Sequence, residues 1–232
     1  MEHSDLSLPA WQLLGKMPAL AHLTHEQLQW LAQQVRWQRL ARGDALPEPF
    51  HDNRIRWVVQ GQIEMRYASS QGKELLLGEF EEGQLFGHAS IRPLPPMHFT
   101  LKAVQPVLLA TLEGPALHDW LNKDVEVLTS ILHGVTELLW GLVWRVVEMG
   151  TMNVRSRLHM RLLLLAQRQG VQDNQVLLQP SPTQASLAAY LGTSREEVAR
   201  EMSRLVRLGL LQREGRSVRL CNVDGLAALV DL

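Results

Sequence analysis

The stretch QASLAAYLGTSREEVAREMSR, residues 184–204, decides the fold of the C-terminal part of this chain. Thr183 precedes its first segment and Ser194 precedes its second, and both are residue types that cap helix N-termini well. Glu197, three residues after Ser194, predicts a reciprocal capping box. Because Gly192 lies between the segments, the pattern predicts two short helices joined by a tight turn.

The spacing within this stretch is typical of a helix-turn-helix. Counted from Gln184, a small Ala188 falls at position five, Gly192 at position nine and apolar Val198 at position fifteen. Two helices that cross steeply need a small contact, a bend and a buried branched residue at such positions. In this motif the second helix enters the major groove of DNA.

The second helix carries three side chains that we expect to read bases: Arg195, Glu196 and Arg200. They lie in its first two turns, the end that enters a major groove. Arginine can donate two hydrogen bonds to guanine, and a carboxylate can accept one from the N4 amine of cytosine. A charged helix face is more often merely solvated, and a helix that binds only phosphate would avoid Glu196. The helix-turn-helix spacing around these residues favours base reading over a merely solvated face.

The residues after this helix predict a wing. The segment LGLLQREGRSVRLCN, residues 208–222, contains two short β-type runs around Glu214-Gly215. We expect Arg213 and Arg216 in this wing to contact backbone phosphate, together with Arg204, one turn beyond the base-reading residues.

Charge is divided unevenly along the 232-residue chain, whose net charge is −1. From Asn153 to Leu232 there are eleven arginines, no lysine and seven acidic residues, which leaves +4, while the remainder carries −5. Guanidinium groups bind phosphate and guanine through two parallel donors. Chance segregation is the alternative, but the asymmetry favours a nucleic-acid partner for the C-terminal part.

Composition indicates an ordinary intracellular protein with two domains. Hydrophobic residues make up 46% of the chain, enough for sizeable cores. The single cysteine, Cys221, can form neither an internal disulfide nor an iron–sulfur site. The N-terminus lacks a signal-peptide pattern, and no apolar run approaches the roughly 18 residues of a membrane span. We therefore expect a cytoplasmic protein without a membrane partner.

The chain lacks the sequence patterns of an enzyme. It contains no Gly-x-Ser-x-Gly segment, no P-loop and no paired carboxylates in a recognisable cleft. We predict that it is not an enzyme.

The N-terminal half has the pattern of a small β domain. Thr24 with Gln27 predicts a capping box at the start of a short helix. From about Val35 to Glu113, short β-type runs alternate with turn residues, and Ser69-Ser70-Gln71-Gly72 predicts a hairpin turn. Several short strands at this spacing favour an antiparallel barrel or roll.

The chain then becomes helical from Pro115 to about Gly150, and this helical stretch carries a regular apolar seam. Steps of three and four residues separate its members: Val125, Leu128, Leu132, Val135, Leu139, Leu142, Val146 and Met149. Such a heptad pattern is typical of a parallel coiled coil. Because Val127, Ile131 and Leu138 offer a second face for packing on the β domain, the seam predicts a homodimer helix. A helix in the core of one chain is the alternative.

Helical continuity weakens over Gly150-Thr151-Met152-Asn153, where Asn153 can cap a further helix. This segment predicts a hinge. The expected organisation is a sensor-type roll over residues 1–123, a dimerisation helix with hinge over 124–152, and a winged helix-turn-helix over 153–232.

Over nearly its whole length the sequence resembles the cyclic-AMP receptor protein and FNR (CRP/FNR) family of bacterial transcription regulators. The most specific match is SREEVAR, residues 194–200, which is similar to the family's recognition helix. The resemblance implies an α+β fold: an N-terminal antiparallel β-roll of the cyclic-nucleotide-binding type, a long dimerisation helix and a C-terminal winged helix-turn-helix.

For the site, the resemblance implies that Arg195, Glu196 and Arg200 read a TGTGA-like half-site and that Thr183 and Ser194 bind phosphates. Glu201 departs from the pattern, because relatives often have an apolar residue there. Either the helix is tilted or Glu201 faces a partner.

The sensor half departs further from the pattern of relatives that bind cyclic nucleotides. Those relatives have a Gly-Glu pair, then an Arg followed by a Ser or Thr about ten residues later. Here Gly87 is followed by His88, and Met97-His98 or His98-Phe99 replaces the second pair. An anionic phosphate needs a dedicated cation, and the prolines around Arg92 make that residue a poor substitute. We expect a degenerate pocket that binds no cyclic nucleotide.

Three alternatives remain for the signal. Haem bound through His88 and His98 is one, an unknown small molecule is another, and activity without any ligand is the third. We expect no cofactor and no metal. The predicted function is a homodimeric regulator that binds a palindromic operator in double-stranded DNA, with RNA polymerase as a further candidate partner. A non-DNA interaction module is the alternative, but it would not need the three base-reading residues in register.

Overall fold

The structure, a computed structural model, describes residues 8–47, 52–68, 74–88, 99–215 and 217–230. The chain forms two compact units, one of residues 1–73 with 77–140 and the other of residues 74–76 with 141–232. The division falls inside a long helix. The predicted domain boundaries at 123/124 and 152/153 separate that helix from both neighbours, and they stay a prediction.

Among the described residues, eight antiparallel strands precede the long helix. In chain order they are β1 Arg36–Leu40, β2 Ala45–Pro47, β3 Arg54–Gln60, β4 Ile63–Ala68, β5 Glu74–Phe80, β6 Leu85–His88, β7 Phe99–Ala103 and β8 Val107–Glu113. They form two four-stranded sheets, ordered β1-β8-β3-β6 and β2-β7-β4-β5. The antiparallel β-roll predicted from the sequence is confirmed. Strands β4 and β5 are neighbours as predicted, while their turn at Ser69–Gly72 lies outside the described residues.

Short helices flank this roll. Helix α1 spans Ala10–Gly15, α2 spans His25–Gln34 and α3 spans Gly114–Leu121. The predicted capping box starts α2, because the amide of Gln27 donates to Oγ1 of Thr24 at 3.3 Å and Oε1 of Gln27 accepts from the Thr24 amide at 2.8 Å.

Alternation along β8 divides the apolar core of the roll in two. Leu108, Ala110 and Leu112 face the cluster formed with the short helices. Val107 and Leu109 point the other way, into the cluster between the two sheets. Successive strand residues face opposite sides, so one apolar strand supplies both clusters.

Helix α4, Val125–Thr151, follows α3 and carries the predicted seam. All eight seam residues are exposed in the single chain, from 37% for Leu142 to 74% for Val125. Of the second face, Val127 is fully buried and Ile131 packs against the same core. Leu138 is 39% exposed, so its predicted packing on the roll is wrong.

Among the described residues, α4 alone is long and apolar enough to qualify as a membrane span. The sequence prediction that no apolar run approaches this length is therefore wrong when judged by helix length and mean hydropathy. The helix also contains Glu126, Glu137, Arg145 and Glu148, and only 6% of its most apolar window is buried. A regular exposed seam on a charged helix is typical of a helix–helix contact in water.

In the part of the second unit that the structure describes, four helices and a three-stranded sheet lie beyond the end of α4. They are α5 Val154–Gln169, β9 Val176–Leu178, α6 Gln184–Leu191, α7 Arg195–Arg207, β10 Leu211–Glu214, β11 Ser217–Leu220 and α8 Val223–Ala227. The sheet order is β10-β11-β9. Asn153 caps α5 as predicted, since its Oδ1 accepts from the Ser156 amide at 3.0 Å. Sequence patterns did not indicate α8.

Candidate functional site

Two capped helices and a glycine turn form the helix-turn-helix. Oγ1 of Thr183 accepts from the amide of Ser186 at 3.0 Å, and Oγ of Ser194 accepts from the amide of Glu197 at 3.1 Å. Gly192 has a φ of +68°, the left-handed conformation that ends α6. Both predicted N-caps are confirmed, and both side chains stay at the surface of the unit.

The reciprocal half of the second capping box is wrong. The carboxylate of Glu197 accepts a hydrogen bond from the hydroxyl of Thr193 instead of from the Ser194 amide. The turn is thereby attached to the first turn of α7.

Helix α7 has a buried face and a charged exposed face. Its buried residues are Val198, Glu201, Met202 and Leu205, at the i, i+3, i+4, i+7 spacing of one helix face. The predicted base-reading residues Arg195, Glu196 and Arg200 are all exposed. Within the described part of the chain none of the three side chains has a hydrogen bond or ion pair, so their charges are available to a ligand.

The helical period places Glu196 and Arg200 opposite the buried face, with Arg195 at its flank. Arg207 lies on the same exposed side and was not singled out from the sequence. The signal that could have found it is its spacing of seven residues from Arg200. Arg207 is therefore a further candidate for a contact with backbone phosphate.

The predicted wing is the hairpin of β10 and β11. Gly215 has a φ of +59° and begins its turn, while Arg216 lies outside the described residues. Arg213 is exposed on β10. Across the hairpin Nη2 of Arg219 donates to Oε2 of Glu214 at 3.1 Å, and this hydrogen bond lowers the pKa of the Glu214 carboxyl below its usual range.

Arg204 is engaged within the unit. Its Nη1 donates to Oε1 of Glu201 at 2.8 Å, and 39% of its side chain is exposed. Glu201 itself is 5% exposed and faces the interior of the unit, so the expectation that it faces a partner is wrong.

His159 on α5 is the partner that sequence reasoning missed. It is 2% exposed, and its Nε2 lies 2.9 Å from Oε1 of Glu201. A carboxylate at an apolar position of α7 was a visible signal, but spacing alone could not identify the residue on another helix that receives it.

Gly87, a residue of the predicted ligand pocket, has a structural role. Its φ is +123°, and a Cβ there would collide with the carbonyl oxygen of Arg54 and lie 3.0 Å from Cα of Ile55. Gly87 is therefore required by the pairing of β6 with β3. His88, the next residue, is half-buried on β6 opposite Arg54.

Two guanidinium groups at this end of the roll are paired with carboxylates. Nε of Arg54 donates to Oε1 of Glu113 at 3.0 Å, which raises the pKa of Arg54 above its usual value. Arg56, 4% exposed, donates through Nη1 to Oδ1 of Asp52 at 3.2 Å and through Nη2 to Oδ2. An anionic ligand would compete with both carboxylates for these cations.

Of the other predicted pocket residues, Phe99 lies within the described part of the chain. The ring of Phe99 on β7 contacts that of Tyr67, with centroids 6.3 Å apart. Arg92, Met97 and His98 lie outside the described residues. Among the residues that the structure describes, no group of three or more His, Cys, Asp or Glu side chains could hold a metal ion.

Comparison with known proteins gives a consistent result. The family description "Crp-like helix-turn-helix domain" matches residues 156–229. The chain is 25% identical over 176 residues to the "CRP-like cAMP-activated global transcriptional regulator" of Mycobacterium tuberculosis, covering 75% of this chain and 79% of that protein. It is also 25% identical over 208 residues to the "Probable transcriptional regulator flp" of Lacticaseibacillus casei, covering 90% and 88%.

A solved structure has the same fold. A mutant of CooA from Carboxydothermus hydrogenoformans superposes with a TM-score of 0.73 at 19% identity, covering 88% of this chain and 90% of that one. The helix-turn-helix, the long helix and the roll therefore occur together in known proteins.

Proposed function

We propose that this chain, which is similar to CRP/FNR transcription regulators and matches the Crp-like helix-turn-helix description over residues 156–229, is a regulator of that family. In this proposal it acts as a homodimer that reads a palindromic operator without control by a cyclic nucleotide. The observation that carries this proposal is the exposure of Arg195, Glu196 and Arg200 at the start of a capped α7, where their side chains have no partner among the described residues. By the family resemblance, these three side chains read a TGTGA-like half-site. Thr183, Ser194, Arg204, Arg213 and Arg216 supply the phosphate contacts.

The dimer follows from the exposed seam of α4. Eight apolar side chains, each at least 37% exposed, form a stripe from Val125 to Met149 along the 27-residue helix. Contiguous apolar surface of this extent is typical of an interface. Two copies paired along the seam carry two α7 helices, which meet successive major grooves when about 34 Å apart. A twofold protein axis requires an operator with inverted half-sites.

Independence from cyclic nucleotides is supported by the charges of the roll. The phosphate of such a ligand needs a cation that is not already neutralised. Arg54 and Arg56 are held by Glu113 and Asp52, and His88 stands where the ribose-binding acid of cyclic-nucleotide relatives is found. We expect isothermal titration with cyclic AMP to give no binding heat and no change in operator affinity. Tighter operator binding with cyclic AMP would contradict this part of the proposal.

Haem is a separate candidate ligand. His88 pairs through its backbone with Arg54 in the edge strand of a sheet, and His98 lies outside the described residues. We propose that the protein works without haem in the cytoplasm, where its DNA partner is found. Purified protein should lack a Soret band and keep its DNA affinity after dialysis. A Soret band that disappears on replacing His88 would favour the haem alternative.

Selection of random duplex DNA by the purified full-length chain tests the central proposal. We expect an enriched inverted repeat with half-sites one helical turn apart, about 10 base pairs. Native mass spectrometry of the same preparation should give the mass of two chains. Absence of sequence enrichment, or a monomer at micromolar concentration, would overturn the proposal.

A further inference from the structure

One of the four residues that bury α7 is charged. Val198, Met202 and Leu205 are apolar, but Glu201 presents a carboxylate whose side chain is only 6% exposed. A buried carboxylate without partners costs several kcal/mol, whereas an apolar side chain in its place would pack without that penalty. Its partners therefore indicate what it does for the helix.

Three cationic or hydrogen-bonding side chains converge on this carboxylate. Nε2 of His159 lies 2.9 Å from Oε1, and Nη1 of Arg204 lies 2.8 Å from the same oxygen. Nε of Arg155 lies 3.5 Å from Oε2. His159 and Arg155 belong to α5 and are one helical turn apart, so Glu201 connects the middle of α7 to a single face of α5.

His159 is itself fixed from the other side. Its Nδ1 lies 3.4 Å from the carbonyl oxygen of Leu229, close after α8, and the ring is 2% exposed. The ring is therefore buried between Leu229 and Glu201, and its Nε2 lies within hydrogen-bond distance of the Glu201 carboxylate. A hydrogen bond of this kind depends on direction, since it weakens steeply as the donor angle departs from a line.

Apolar contacts constrain a helix differently. The hydrophobic effect is non-directional, so the apolar residues of α7 hold the helix against the unit but tolerate rotation about its axis and small sliding. Base reading does not tolerate such movement, because paired hydrogen bonds to a base edge need correct distances and angles. A bond at the centre of the buried face supplies the missing constraint.

We propose that Glu201 is a positioning residue that fixes the rotational setting of α7 through His159 and so determines how sharply the protein discriminates between DNA sequences. The proposal rests on the base-reading function proposed above. Glu201 contacts no DNA in this view.

The deciding experiment replaces the polar pair by an apolar one. Full-length chains with Glu201→Leu and His159→Leu together are compared with the parent in competition binding between the selected operator and random duplex DNA at fixed salt. Buried ion pairs can often be replaced by packed apolar residues at little or no cost in stability. We therefore expect a thermal midpoint close to the parent, retained binding to random DNA and a loss of about tenfold or more in the operator-to-random ratio.

A matched control is available in the first unit. Glu64 is also a buried glutamate, 6% exposed, and its Oε2 accepts from Nε of Arg66 at 2.8 Å. Glu64→Leu should change the stability of the roll and leave the operator-to-random ratio unchanged. Equal loss of the ratio in both variants would mean that burial of charge in general matters, and it would overturn a specific role for Glu201.

Conservative variants keep the test decisive if the leucine pair fails to fold. Glu201→Gln retains an oxygen that accepts from His159, and His159→Gln retains an amide that donates to Glu201. Each should keep more discrimination than the single leucine variant at the same position, which is the rescue expected of a positioning bond. If the folded variants discriminate as well as the parent, the inference is wrong while base reading stands. If the parent itself shows no operator preference, the base-reading function fails first.

Discussion

Charged side chains at the two candidate sites have opposite environments. In the first unit Arg54 and Arg56 face Glu113 and Asp52, so their charges are neutralised within the roll. In the second unit the charges at the start of α7 are exposed, and within the described residues they have no partner. A cation already paired must give up its carboxylate to bind an anion, whereas an exposed one loses only water.

Ligand binding is therefore expected in the second unit. The second unit displays charge in the register that base reading needs, and it is the part that matches the Crp-like domain. The first unit uses its polar residues to hold its own strands together. Substitutions that remove charge, space or helix pairing from each unit can test whether the two units differ in this way.

The largest effect should come from separating the two copies of the DNA-binding unit. Replacing Leu132 and Leu139 of the seam with lysine removes apolar burial of about 1.5–3 kcal/mol per leucine, twice over in a symmetric dimer. We expect a monomer by analytical ultracentrifugation and a loss of operator affinity of about a hundredfold or more. That result would mean that exposed charges alone do not suffice for tight binding and that two copies must pair.

The matched control for that experiment is Glu137→Lys on the same helix. Glu137 lies off the seam, and its side chain is 69% exposed. This variant adds positive charge without touching the seam, so it should stay dimeric. A dimeric seam variant would contradict the assignment of this face.

The next effect concerns Gly87, which we assign to strand pairing instead of ligand binding. Gly87→Ala combines a backbone at φ +123° with a collision against β3, and such strain costs about 1–3 kcal/mol. Gly43→Ala is the control, because Gly43 has φ +96° but open space around it. We expect a larger drop in thermal midpoint for Gly87→Ala than for Gly43→Ala. Folded Gly87→Ala protein with altered operator specificity would contradict the assignment of Gly87 to strand pairing.

Removing single charges from the second unit tests the comparison directly. Arg200→Ala should cost about 1–3 kcal/mol at the operator and relax the preference for it, because a base contact is lost. Arg195→Ala should behave alike. Arg213→Ala removes a proposed phosphate contact and should weaken all sequences equally, with a salt dependence reduced by about one unit of slope. Equal losses on operator and random DNA for Arg200→Ala would contradict base reading.

Sequence patterns predicted the second unit better than the first. Thr183, Ser194 and Gly192 act locally, through caps and a turn that depend on neighbours within a few residues, so their roles could be predicted from spacing. The seam of α4 is likewise a local periodicity, and it lies exposed as a seam must before pairing. Leu138 was misplaced because periodicity does not say where the roll ends beside the helix.

Long-range partners could not be predicted in this way. Glu201 was visible as a departure from pattern, but His159 lies 42 residues earlier in the chain. The pairing of Arg54 with Glu113 joins residues 59 apart, and only the register of two strands brings them together. These contacts depend on how elements pack, and spacing along one element carries no information about its neighbour.

The smallest expected effect is at the wing, where a paired charge lies beside the exposed Arg213. The hydrogen bond from Arg219 lowers the pKa of Glu214, so the ionised pair stabilises the hairpin above the ordinary carboxyl pKa and loses this contribution as pH falls through the lowered one. Arg219→Gln should therefore move the pKa of Glu214 upward, as measured by NMR titration of its carboxyl carbon. Arg213→Gln is the control, because Arg213 has no partner among the described residues, and it should leave that titration in place. If Glu214 titrated at the same pH with and without Arg219, Arg219 would not stabilise the ionised carboxylate. The difference between paired and exposed arginines would then not extend to this hairpin.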